Sequence, residues 1–307
     1  MTKKYDIIII GAGPAGLTAA IYARRAAKTV LVLEANTYGG QIIDAPDIEN
    51  YPAAAHISGP DFAQKIYQQA VDLGADVEFE KVTEIKDHSE SKTVITEDGE
   101  YEAKAVIIAT GSGNRKLGLK NEEQLVGRGI SYCATCDGAF YKDKIVAVIG
   151  GGNTALASAL YLSDIAKTVY LIHHRDTLRG SEASVLKLKE KPNVEFVLNN
   201  QVTELLADKK LRAIKLQDKD GSSKELEIDG LFVAVGREPE TKEFAELIKL
   251  DEAGYVISAE DCHTNVEGIF VAGDNRTKAV RQLVTATSDG AVAATEAIKY
   301  LNAHGQF

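Results

Sequence analysis

The chain has 307 residues, 45% hydrophobic and 26% charged, which is globular composition with room for two domains of ordinary size. Its formal net charge of −10 argues against a nucleic-acid backbone as partner, and the acidity is read as solubility. Three cysteines, two of them in one motif, suit a reducing cytoplasm better than a secreted disulfide scaffold, and the apolar run at residues 7–10 is too short for a signal or membrane-spanning helix.

Strands and helices alternate along the chain, which predicts parallel sheets covered by helices. Residues 5–10 are predicted as a buried strand, 14–27 as a helix and 29–34 as the next strand. After a loop region with Gly39-Gly40 and Asn50-Tyr51-Pro52, a helix is predicted over 61–73. Short alternating segments at 76–79, 83–86, 92–96 and 100–101 suggest an antiparallel meander, and 105–109 a buried strand ending in Thr110-Gly111. The same order then recurs: strand 144–149, helix 154–166, strand 168–173, a meander over 194–198, 202–206, 211–217 and 223–228, and a strand 231–235 ending in Gly236-Arg237-Glu238-Pro239. An apolar strand at 268–272, ending in Gly273-Asp274, and a long helix over about 281–301 return the chain to the first domain.

The repeat covers whole domains. Crossings are expected near 111–113 and 236–241, where Gly and Pro fit hinges. The first domain is then discontinuous, residues 1–113 and 241–307, with residues 114–240 inserted. The fold class is α/β: two Rossmann-like dinucleotide-binding domains, each a parallel sheet with helices and a small antiparallel β-meander.

Each copy opens on a glycine turn between strand and helix. In the first, Gly11, Gly13 and Gly16, with Pro14 and Ala15 between them, allow a tight turn, close approach of a pyrophosphate and helix–strand packing. The helix N-terminus then faces the phosphates. Glu34 follows Gly11 by 23 residues and ends the next strand, where its carboxylate can accept from an unphosphorylated ribose. A purely structural turn is the alternative. In the second copy the turn is Gly150, Gly152, Asn153, Thr154 and Ala155, and the acid is gone. His173, His174 and Arg175 stand at that strand end, with Arg179 beyond, and positive charge there suits a ribose 2′-phosphate, favouring NADPH over NADH. The alternative is a solvated basic loop.

The two sites should therefore hold different nucleotides. The Glu34 site suits the adenosine end of FAD. At Gly273-Asp274 a carboxylate can bind ribityl hydroxyls, and the following helix can point its positive end at the flavin. On spacing alone, Asp274 serves equally as a helix cap.

Cys133 and Cys136 form a Cys-x-x-Cys just before the second copy. A zinc site would need a second pair of ligands at the right spacing, so no metal is expected; Cys262-His263 is isolated and incidental. Two inert buried thiols remain an alternative to the favoured redox dithiol. A helix beginning at Asp137-Gly138 would lower the pKa of the nearer thiol, and Asp137 is either a proton donor to a leaving thiolate, a helix cap, or both. Two dinucleotide sites and a dithiol suggest electrons passing from one cofactor to a second and then to a disulfide.

Nearly end to end, the chain resembles the low-molecular-weight bacterial thioredoxin reductases. The resemblance is carried by GAGPAG at 11–16, GGQ at 39–41, ENYP at 49–52, IIATG at 107–111, GRG at 127–129, CATCDG at 133–138, GGGNTA at 150–155, GIFVAGD at 268–274 and RQL at 281–283. It implies a cytoplasmic homodimer with FAD in the outer domain and NADPH in the inserted one, reducing the Cys133–Cys136 disulfide and then thioredoxin. Cys136 would face the flavin, Cys133 would attack the thioredoxin disulfide and Asp137 would be the general acid. FAD contacts carry over to the segment from Glu34 through Gly39, Gly40 and Gln41, to Asn50, to Thr110 and Gly111, and to the run from Asp274 through Arg281, Gln282 and Leu283. Because dithiol and NADPH site ride on one domain, cycling implies a rotation of that domain about the two crossings.

There are departures from the family pattern. The usual His-Arg-Arg is His173-His174-Arg175, which should weaken NADP selectivity without abolishing it. The aromatic pair after CATCDG is reduced to Ala139-Phe140, and the Gly after ENYP is Ala53. Another dithiol carrier as partner, reduced ferredoxin as donor, and a non-catalytic flavin redox sensor are the competing readings.

Overall fold

The computed structural model describes residues 3–45, 47–48, 50–54 and 56–305; Glu49 of the ENYP segment lies outside the described residues. The isoleucine run beside Asp6 is buried on both faces, because Ile7 and Ile9 join one core while Ile8 and Ile10 join another. It forms β1 (Lys3–Ile10), followed by α1 (Pro14–Arg25) and β2 (Val30–Leu33). Pro14 stands in the first turn of α1, where a missing N–H costs nothing, and Arg24 and Arg25 close its last turn, where cations oppose the helix dipole. Ser58 caps α2 (Gly59–Asp72) by accepting from Asp61 N at 3.2 Å. β3 (Asp76–Glu78), β4 (Val82–Asp87), β5 (Lys92–Thr96), β6 (Glu100–Ile108) and β7 (Ser112–Asn114) complete the first pass.

Next come α3 (Glu122–Leu125), β8 (Ile130–Ser131), α4 (Ala134–Asp137), β9 (Ile145–Ile149), α5 (Asn153–Ser163), β10 (Thr168–His173) and α6 (Glu182–Lys189). They are followed by β11 (Val194–Leu198), β12 (Asn200–Ala207), β13 (Leu211–Asp218), β14 (Ser223–Glu227) and β15 (Gly230–Val233). The chain returns through β16 (Arg237–Pro239) to β17 (Ile269–Val271) and α7 (Leu283–His304).

Two compact units result, Met1–Gly113 with Glu238–Phe307, and Asn114–Arg237. The return crossing thus falls at 237/238 rather than 240/241. The first unit holds a seven-stranded sheet in the order β3-β2-β1-β6-β5-β4, with β17 also beside β6. The second holds a five-stranded parallel sheet, β11-β10-β9-β15-β8, and a three-stranded sheet, β12-β13-β14. The strands β7 and β16 of the two crossings pair with each other.

Three expectations are corrected. Residues 76–78 and 194–198 do not join the meanders; β3 and β11 extend the parallel sheets beside β2 and β10. Each follows a helix, and a strand–helix–strand crossover delivers its second strand parallel to the first. The segments at 100–101 and 105–109 are one strand: the first half of β6 pairs antiparallel with β5, the second half parallel with β17. Lastly, α3 and α6 fall in segments where no helix was predicted. In α6 the apolar stripe is broken, with Leu188 buried but Leu186 exposed.

Within each unit the parallel sheet separates two cores. In the first, α1 and α7 cover one face and β4, β5 and the segment around Phe244 and Val256 the other. In the second, α5 covers one face and β12–β13 the other, with Val146 and Val148 facing the helix and Ala147 and Ile149 the meander. Each fully buried Ile or Val contributes about 1.5–3 kcal/mol relative to exposure. No helix among the described residues is long and apolar enough to cross a membrane.

Candidate active site

At the carboxyl end of β1, Gly11 takes φ +106°, and a Cβ there would lie 2.4 Å from Ala109 O. A Cβ on Gly16 would lie 1.9 Å from Gly11 O, so α1 can sit on the turn only without one. The loop is tied to the next strand, because Ala12 N donates to Glu34 Oε2 at 2.7 Å and Asn36 N to Oε1 at 3.0 Å. Gly39 N donates to Ala12 O at 2.7 Å, which brings Gly40 and Gln41 to the same place. From elsewhere in the unit, Asn50 Nδ2 donates to Gln282 Oε1 at 3.0 Å, and Asn275 Nδ2 to Thr110 Oγ1 at 3.2 Å. The Thr110 hydroxyl donates to Glu240 O, and Gly111 O accepts from Glu240 N. A Cβ on Gly273 would stand 3.1 Å from the Ala15 Cβ. Arg281 donates to Asp274 O and lies 4.0 Å over the Tyr255 ring. Leu283 opens α7, and Gln282, not Asp274, caps it through a capping box with Thr285.

These residues form one cradle, and it fits a dinucleotide. Gly13 caps α1 with nothing within 4 Å of where its side chain would be, which leaves room for a phosphate at the helix N-terminus. Gln41 Oε1 is buried with no hydrogen-bond partner among the described residues, as an acceptor facing a bound donor would be.

The second cradle repeats the design. Gly150 (φ +147°) approaches Ala234 O, Gly152 caps α5 over open space, and Ala155 is buried behind the turn. Arg179 N and Gly180 N both donate to Gly151 O, at 2.7 and 3.0 Å, while Ser181 N donates to Asn153 Oδ1 at 2.7 Å. The residues at and beyond the strand end divide. His174, Arg175 and Arg179 are exposed, but His173 is 2% exposed and lies beneath the turn, its ring 2.5 Å from where a Gly151 Cβ would be. Burial, reinforced by His174, Arg179 and Arg175, holds the His173 imidazole below its ordinary pKa. It is therefore neutral at pH 7 and supplies no charge to a phosphate, although its buried Nε2 has no hydrogen-bond partner among the described residues.

Cys133 and Cys136 are joined as a disulfide. The helix here begins before Asp137, not at it: Cys133 caps the four-residue α4, and its sulfur accepts from Cys136 N at 3.2 Å. Cys136 is exposed and Cys133 half-buried, held by Ser131, whose hydroxyl accepts from Cys133 N at 3.0 Å. Asp137 N donates to Cys133 O, and the Asp137 side chain makes no capping bond. A Cβ on Gly138 would lie 2.9 Å from the Tyr161 ring, so the redox turn packs on α5, the helix that leaves the second glycine turn.

Sequence reasoning missed two groups. Glu122, 3% exposed, accepts from Leu117 N, Gly118 N and the Tyr132 hydroxyl, the last at 2.7 Å, beside Cys133. Burial and then this bond push the Tyr132 phenol well above its usual pKa. Asp289, Arg276 and Lys278 form a buried charge network behind Gly273. An acid in the Ala-rich stretch of α7 was the only signal of it in the sequence.

A family model described as pyridine nucleotide-disulphide oxidoreductase matches residues 5–290. A thioredoxin reductase of Listeria innocua is 44% identical over 97% of this chain and 94% of its own length. One of Bacillus subtilis is 41% identical over 97% of this chain and 95% of its own. The structure of Lactococcus lactis thioredoxin reductase matches with a TM-score of 0.89 at 40% identity, covering 97% of this chain and 99% of that one. The chain therefore belongs to the pyridine nucleotide-disulphide oxidoreductases, as a flavin-dependent disulfide reductase of the low-molecular-weight thioredoxin reductase branch.

Proposed function

We propose that this enzyme passes electrons from NADPH through FAD and the Cys133–Cys136 pair to the disulfide of thioredoxin, as a cytoplasmic homodimer. The observation that carries the reading is the Cys133–Cys136 disulfide packed on α5, in a chain with two glycine-turn cradles of different charge. FAD, held by Gly11–Gly16, Glu34, Gln41 and the loop from Gly273 to Leu283, would supply the two-electron relay. NADPH would lie along Gly150, Gly152 and Asn153, with Arg175, Arg179 and His174 at its 2′-phosphate and His173 as the floor of the turn.

The protein's own chemistry is thiol–disulfide exchange. Two electrons and two protons reduce the disulfide to the dithiol. The Cys133 thiolate attacks one sulfur of the partner disulfide, forming a mixed disulfide and expelling the other sulfur, which takes a proton from Asp137. Cys136 then attacks the Cys133 sulfur, releases the second partner thiol and restores the intramolecular disulfide. The peptide N–H that Cys136 directs at the Cys133 sulfur favours the thiolate there.

The test is the initial rate of NADPH oxidation by FAD-loaded protein with oxidised thioredoxin, with NADH alongside. A thioredoxin-dependent rate that prefers NADPH is expected. Flavin bleaching by NADPH without a thioredoxin-dependent rate would move the partner to another dithiol carrier. Failure of NADPH to bleach the flavin would remove NADPH as donor.

A further inference from the structure

Between β17 and α7 the chain runs from Ala272 to Gln282, through the Gly273-Asp274 turn, and one residue of α7 holds that loop. Asp289 Oδ2 accepts from Gly273 N at 3.0 Å, Arg276 Nε at 2.8 Å and Lys278 Nζ at 2.8 Å, while Oδ1 accepts from Arg276 Nη2 at 2.8 Å. The side chains of Arg276, Lys278 and Asp289 are 2%, 5% and 7% exposed. The cations also gather carbonyls: Arg276 donates to Ala259 O and Thr277 O, Lys278 to Thr285 O, and Arg281 to Arg276 O. One residue further on, α7 meets α1. A Cβ on Gly290 would lie 2.1 Å from Ala15 O, inside the glycine motif and in the first turn of α1. A single turn of α7 thus keys both halves of the first cradle, the phosphate turn and the Gly273 loop.

Bulk stability does not account for this choice. Three buried charges are usually no better than apolar residues of the same volume. Two cations also share one carboxylate, and the other acid within reach, Glu260 at 3.7 Å, is 96% exposed. Counting Asp274 and Arg281 of the same loop, three cations (Arg276, Lys278 and Arg281) stand with two carboxylates (Asp274 and Asp289), so one positive charge is in excess, and the low local dielectric makes it felt. Burial alone would push the Asp289 carboxyl up, but Arg276 and Lys278 outweigh it and hold the carboxyl below its ordinary range, so the network stays ionised.

We propose that Asp289 is a positioning residue for the flavin: it clamps the Gly273–Leu283 loop through Arg276 and Lys278, and the excess positive charge so held raises the flavin midpoint potential by favouring negative charge on the reduced ring. The inference rests on the FAD reading above.

Wild type, Lys278→Met, Asp289→Asn and Asp289→Glu are to be stripped of flavin, titrated with FAD and then measured for flavin midpoint potential. Lys278→Met keeps the neutral, two-bond Arg276–Asp289 pair and is expected to fold. In it and in Asp289→Asn, the FAD dissociation constant should rise about tenfold or more, the loss expected for one hydrogen bond to a charged group. The potential of Lys278→Met should become more negative, and Asp289→Glu should recover part of the affinity. If Asp289→Asn does not fold, Lys278→Met decides. A folded Lys278→Met with unchanged FAD affinity and potential overturns the inference while leaving the flavoprotein reading intact. A wild type that takes up no FAD overturns both.

Discussion

Three cysteines of one chain have three environments, and their chemistry follows from them. Cys136 is exposed, Cys133 is half-buried with an N–H directed at its sulfur, and Cys262 is fully buried. Burial, and then the nearby Asp289 carboxylate, push the Cys262 thiol up to about 12, so it holds its proton throughout the working pH range. After mild reduction, Ellman's reagent at pH 8 should titrate two thiols in the folded protein and a third only in denaturant; three fast thiols would refute the assignment. Cys136→Ser should leave NADPH bleaching of the flavin intact and abolish disulfide turnover, and stopped-flow absorbance separates the two. At the nucleotide phosphate, His174→Arg should add a permanent charge to the pair Arg175 and Arg179 and raise the NADPH-over-NADH ratio of kcat/KM by about tenfold, the worth of one charge-assisted hydrogen bond. An unchanged ratio would mean that position 174 does not reach the phosphate. What was legible from sequence was placement fixed by local spacing: Glu34 against the first glycine turn, the glycines in their tight turns, and Cys133 beside Cys136. Asp289 and Glu122 were not legible, because their partners lie in irregular loops whose path no local pattern fixes, and the burial of His173 was not legible because periodicity does not tell which way a strand-end side chain turns.

At the scale of elements, the alternation of strands and helices was readable because buried parallel strands are continuous apolar runs and glycine turns mark where they stop. Pairing was less readable. The three-residue β3 has no pattern of its own, and its parallel register comes from the crossover through α2, while β6 changes partner halfway along. The contact between α1 and α7 is where one atom matters most. Ala293, Ala294 and Ala297 let the helices approach, and Gly290 lets them touch at Ala15 O. Gly290→Ala should push α7 outward, destabilise the protein by about 1–3 kcal/mol and weaken FAD retention with it. Denaturant unfolding with a flavin-release assay would show both, and a loss of stability with FAD binding unchanged would break the proposed link between α7 and the cradle. The Asp289 network adds a pH dependence of known sign. Its folded pKa lies below the unfolded one, so its contribution is complete above the ordinary carboxylate value of about 3.9 and disappears as pH falls through the lowered value.

At the scale of the whole molecule, the two units are separate hydrophobic bodies. The first has its two cores on the faces of its parallel strands, the second on the faces of its five-stranded sheet, and each of the four buried clusters stays within one unit. Covalently, only two chain crossings join them, and these pair as β7 and β16. Chains built this way need not unfold in one step, since each body carries its own apolar burial. If FAD belongs to the first unit and NADP to the second, each ligand should stabilise one body selectively. At about a hundred times its dissociation constant a ligand adds about 2.7 kcal/mol to the state that binds it. For domains of this size that is a rise of roughly 5–15 °C in the transition concerned. Differential scanning calorimetry of the flavin-free protein, with FAD and 2′,5′-ADP added separately, should therefore move two different transitions. Both ligands moving the same transition would put the two nucleotides in one unit and undo the assignment of the cradles, whereas 2′,5′-ADP moving neither would leave the second glycine turn without its nucleotide.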